Sequence, residues 1–74
     1  MFTGHQLKVY REKIGWTQEE LGHHVCMSRT AIAKIEASNR PISNFETLKA
    51  LQKALHIPYG IIGFIPIEVL EVNS

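Results

Sequence analysis

The 74-residue sequence contains no aspartate and a single cysteine, Cys26. One thiol cannot close an internal disulfide or build a metal cluster, which fits a reducing, cytoplasmic compartment. No apolar run approaches the ~18 residues a membrane span needs, and no charged-then-apolar leader opens the chain. A glycine-rich phosphate loop, internal repeats and low-complexity stretches are all missing. The adjacent pair His23 and His24 would point about 100° apart on a helix, so the two cannot chelate one ion together. They read as solvated surface residues. Cys26 has no organised base near it in the sequence and reads as a buried or half-buried turn residue, not a nucleophile. No metal or cofactor is expected, and the sequence does not read as an enzyme.

What remains is an ordinary globular composition. With 45% hydrophobic and 20% charged residues, the chain is long enough for one domain with a small core and is not of the disordered class. The net charge of +1 is a weak footprint for any charged partner, but its distribution is uneven. Residues 1–56 carry eight Lys and Arg against five Glu, a balance of +3. Residues 57–74 carry Glu68 and Glu71 and no base, a balance of −2. That polarity predicts two faces with different partners.

The densest local signals lie between Thr17 and Glu36, TQEELGHHVCMSRTAIAKIE. Thr17 with Glu20 forms a capping box, and Trp16 with Leu21 can close it as a hydrophobic staple. Leu21 and Val25 then share one face of a short helix. Ser28 is a good cap for a second helix, with Met27 and Ile32 in the same staple relation and Ile35 continuing the buried face. Only Cys26 and Met27 separate Val25 from that cap, so the two helices must cross steeply. This is a helix-turn-helix pattern.

Position by position, the segment resembles the phage-repressor and Cro-like helix-turn-helix proteins, the xenobiotic-response-element family. Gln18 opens the first helix, Gly22 sits where the two helices cross, and Ile32 and Ile35 hold the buried positions of the second. The phrases TQEEL, SRTAIAKIE and FETLKALQKAL extend the likeness from about Leu7 to Ile57. One position departs from the pattern: the turn residue usually filled by glycine, with φ > 0, is Cys26. A side chain there costs on the order of 1 kcal/mol. The resemblance implies an all-α, compact domain of four to five helices, lambda-repressor-like, with a short apolar C-terminal tail. Residues 1–64 would form the DNA-binding domain and residues 65–74 the tail.

Outside the motif, Met1 to Gly4 reads as a loose start with Thr3 available as a cap. A helix over His5 to Ile14 would place Leu7, Tyr10 and Ile14 on one face and end at Gly15. Ala37 to Pro41 reads as a turn. Ser43 with Glu46 forms a further capping-box pattern, followed by Phe45, Leu48, Leu51 and Leu55 as a helical stripe. The resemblance adds a short fifth helix over roughly 58–64, which Gly60 and Gly63 weaken. Residues 65–72 are compatible with a strand, a short helix or an extended tail.

In this motif the second helix enters the major groove and its N-terminal residues meet base edges. The exposed positions would be Ser28, Arg29, Thr30, Ala33 and Lys34. Arg29 can donate two parallel bonds to guanine, Ser28 and Thr30 can serve bases or phosphates, and Ala33 can touch a thymine methyl. Lys34 lies one turn beyond Thr30. The resemblance gives Gln18 a phosphate-clamping role, and Asn39 and Arg40 are placed to hold backbone. Arg11 and Glu36 match a structural ion pair of the family. Phe64, Ile65, Ile67, Val69, Leu70 and Val72 exceed what a four-helix core needs and predict an interface. The expected partners are double-stranded DNA with an inverted-repeat operator, a second copy as homodimer, and a regulatory protein on the tail. The expected role is a repressor; the alternative is an interaction module, such as an antitoxin or anti-repressor partner, whose tail is the main surface.

Overall fold

In the computed structural model, residues 1–65 are described, and they form five helices: α1 (Gly4–Ile14), α2 (Gln18–Val25), α3 (Arg29–Ala37), α4 (Phe45–Leu55) and α5 (Tyr59–Ile62). Each of the first four begins at a side-chain cap. Thr17 Oγ1 accepts from the Glu20 amide while Glu20 Oε1 accepts from the Thr17 amide, closing the expected box. Hydrogen bonding to its carboxylate, from the Thr17 amide first and the Thr17 side chain second, holds Glu20 below its usual pKa range. Ser28 caps α3 by accepting from Ala31.

One cap goes beyond expectation and one departs from it. Thr3 caps α1 with Gln6 as its reciprocal partner, a box the sequence reading left out. The cap of α4 is Asn44, whose Oδ1 accepts from Thr47. With Asn44 there, Glu46 falls one residue short of the reach-back position that a Ser43 cap would have given it, and the expected Ser43–Glu46 box does not form. Asn and Ser cap equally well, so local propensity cannot choose between neighbours.

The core is formed by Phe2, Leu7, Leu21, Val25, Ile32, Leu51, Leu55, Ile57 and Ile62. Phe2 corrects the expected loose start. It is buried, its ring 6.1 Å from that of Tyr10, and its carbonyl accepts from the Ile42 amide at 2.8 Å. Thr3 pairs with Pro41 in an isolated antiparallel bridge. The buried side of α1 also shifts: Leu7 and Arg11 face inward, Tyr10 is half-buried and Ile14 is 43% exposed. A buried arginine one turn after Leu7 is invisible to an apolar-stripe reading. In α4, Leu48, Leu51 and Leu55 face the core, but Phe45 is 52% exposed. Helix α5 is a single turn, shorter than the expected 58–64, and is stopped by Gly63 in the left-handed region.

Two close approaches set the frame. A Cβ on Gly22 would collide with the Met27 carbonyl, so glycine permits the tight crossing of α2 on α3. A Cβ on Gly4 would collide with the Ile35 and Ser38 carbonyls, so the start of α1 lies directly on the end of α3. The positive end of α1 thereby meets the carbonyl-rich end of α3, a favourable dipole arrangement. Among the described residues, no helix is long and apolar enough to cross a membrane.

Candidate nucleic-acid interface

The turn between α2 and α3 is as short as the spacing required, with α2 ending at Val25 and α3 capped by Ser28. Cys26 adopts φ 57°, ψ 42°, and its amide donates to the Gly22 carbonyl, so it occupies the left-handed position expected of it. Its side chain is exposed, correcting the expected burial.

Ser28, Arg29, Thr30 and Lys34 are exposed on and beside α3. Ala33 is half-buried, not exposed as expected, because it lies nearer to the seam holding Ile32. The Ser28 hydroxyl oxygen accepts the Ala31 amide, and its own proton remains free to donate. Arg29 lines one concave surface of about 560 Å³ together with Arg11, Thr17, Gln18 and Glu19. The first residue of α3 and the N-terminal turn of α2 therefore share a single open, polar face. Helix N-termini present unpaired amides to anions, so this face is suited to phosphate beside base edges.

Beneath that face lies a buried ionic cluster. Arg11 Nε donates to Glu36 Oε2 at 2.6 Å and Nη2 donates to Glu36 Oε1 at 2.9 Å, a bidentate pair with side chains 10% and 3% exposed. Arg11 Nη1 donates to the Trp16 carbonyl at 2.7 Å. The hydrogen bond to Glu36 holds the Arg11 guanidinium above its usual pKa against the opposing effect of burial. Gln18 Nε2 donates to Glu36 Oε1 at 3.1 Å. The side chain expected to clamp phosphate is thus tied to the carboxylate that closes α3. One amide proton of Gln18 stays available for an outside acceptor. Sequence reasoning missed this link because it joins positions eighteen residues apart.

Asn39 and Arg40 are exposed after α3, and the Arg40 amide donates to Ser38 Oγ. His23 and His24 are exposed, but His24 stacks on Trp16 with ring centroids 4.0 Å apart and planes 7° from parallel. Among the described residues no group of three metal-ligating side chains comes together. In the predicted interface, Phe64 is half-buried against Phe45 and Ile65 is 52% exposed; Ile67, Val69, Leu70 and Val72 lie outside the described residues.

Comparison with known proteins agrees with this geometry. The chain is similar in fold to a hypothetical transcription factor, NHTF, from Neisseria. The TM-score is 0.68 at 22% identity, over 96% of this chain and 79% of that one. No curated protein sequence matches the chain. A helix-turn-helix family model matches residues 7–62, well over half of the chain and the same stretch that carries the motif. With two capped helices crossing at Gly22 and an exposed Arg29 opening the second, the chain belongs to the helix-turn-helix family of DNA-binding regulators, of the xenobiotic-response-element type.

Proposed function

We propose that the protein is a cytoplasmic transcriptional repressor that binds an inverted-repeat operator as a homodimer, with α3 in the major groove. The observation that carries this reading is the exposed Arg29, placed at the first residue of α3 and on the same concave face as the start of α2. Residues 1–64 act as the DNA-binding domain and 65–74 as the interface segment. Arg29 reads guanine, with Ser28, Thr30 and Lys34 on neighbouring bases or phosphates and the Ala33 methyl against thymine. Asn39, Arg40 and the N-terminal turn of α2 around Gln18 hold the backbone. One recognition helix reads few bases, whereas a two-fold dimer reads half-sites ~34 Å apart.

The test is a binding selection from random duplex DNA at a stated, near-physiological salt concentration, because phosphate contacts make affinity steeply salt-dependent. Enrichment of an inverted repeat with half-sites one helical turn apart is the expected outcome. Arg29→Ala should lose preference at one base position by ~1–3 kcal/mol. An unchanged preference in that variant would remove Arg29 from base reading. A folded protein that enriches no sequence would favour the second reading, an interaction module. That alternative draws support from the exposed apolar side chains Phe45, Ile61 and Ile65.

A further inference from the structure

The N-terminal end of α4 and the end of α5 meet at an apolar corner. Phe45 is 52% exposed with its ring 4.9 Å from that of Phe64, and Ile61 and Ile65 are 39% and 52% exposed. Ile65 lines a shallow depression with Tyr59, Gly60, Gly63 and Phe64. A Cβ added at either glycine would meet nothing within 4 Å, so the backbone there is open to close approach. Alongside runs a basic strip. Lys49 and Lys53 are one turn apart on α4, and Lys49 Nζ lies 5.8 Å from the Phe45 ring centroid. The Arg11–Glu36 pair is the one salt bridge among the described residues, so both ammonium groups lack a carboxylate there.

The sequence holds a complement to this surface. Residues 66–74 carry Glu68 and Glu71, no base, and the apolar Ile67, Val69, Leu70 and Val72. Nine residues can span at most ~30 Å. The eleven-residue α4 is about 16 Å long. We infer that residues 66–74 of one copy lie across the outer face of α4 in a second copy, with Glu68 and Glu71 opposite Lys49 and Lys53, so that two reciprocal arms build the dimer. The inference rests on the homodimer reading and names its interface. A stable interface covers ~800 Å² per partner, and an arm from each copy would contribute to that area.

Charge reversal tests the inference. K49E/K53E and E68K/E71K each place like charges opposite one another, so each variant alone should dimerise at least about tenfold more weakly than the native chain. Mixed together, the two variants match at both arms, and the mixture should recover the native dimer mass by light scattering. Carbodiimide cross-linking of the native protein, prepared as a mixture of light and nitrogen-15 chains, supplies a readout that needs no variant to fold. Peptides joining Glu68 or Glu71 to Lys49 or Lys53 across labels are the expected result. Such peptides found only within one label would place the arm on its own α4 and overturn the inference. Variants that each remain fully dimeric, or a mixture that fails to recover, would also overturn it while leaving the homodimer standing. A native chain that is monomeric at every concentration would remove the homodimer reading and the inference together.

Discussion

Cys26 holds a left-handed backbone, φ 57°, with its side chain in solvent, so the residue carries the steric cost of that conformation without a buried contact in return. Cys26→Gly should therefore stabilise the domain by about 1 kcal/mol, equivalent to ~4–8 °C in Tm for a chain of this size. A thermal melt under reducing conditions checks it, and an unchanged or lower Tm would mean the thiol makes a contact worth as much as the strain. At this scale much was legible. The left-handed turn, the close approach at Gly22 and the Thr17–Glu20 box each follow from a residue type and a spacing of three or four. What escaped was set by distant partners. Phe2 is apolar at the chain start and looks like an idle residue until Ile42 and Tyr10 are seen to hold it. The stack of His24 on Trp16 joins two residues eight apart, which no local pattern selects.

Between elements, a buried ionic cluster adds to the apolar packing of the core. Glu36 closes α3 and accepts from Arg11 on α1 and Gln18 on α2, so three helices converge on one carboxylate. Removing it would leave a buried guanidinium without its counter-charge, a loss of ~3–5 kcal/mol. Arg29 lies on the surface, where substitution changes stability by about 0.5 kcal/mol or less. Glu36→Ala should accordingly melt at least ~12 °C below the native domain while Arg29→Ala melts with it. Equal melting temperatures for the two variants would show the pair to be dispensable. The elements themselves were largely readable: α1, α2 and α3 begin within a residue of the expected positions, because capping residues mark each start. Helix α4 was placed correctly but capped one residue late, where Ser43 and Asn44 compete on nearly equal terms. Helix α5 was overextended because its two glycines could not say on which side of them the single turn would fall.

Taken whole, the sequence is polarised only at its end: all eight Lys and Arg lie at or before Lys53 with five of the seven Glu among them, and Glu68 and Glu71 follow without a base. That polarity was legible from the start, whereas the face proposed to receive the acids depends on how α4 and α5 fold around Phe45. The tie between the start of the chain and the end of α3 was not legible at all. The start of α1 rests on the end of α3 through Gly4, and the Phe2–Ile42 bond with the Thr3–Pro41 bridge fastens the segment that follows α3. Helix α3 is thus held at its first turn by α2 and at its last by α1. Fraying of α3 from either end would break one of these contacts. Native-state hydrogen exchange should find α1 and α3 opening together at the global free energy, with α5 exchanging through a smaller opening. Separate, lower-energy exchange of α3 would contradict this. In the DNA complex proposed above, a helix that opens only with the entire domain would meet the groove already ordered, and binding would carry no entropic penalty for forming it.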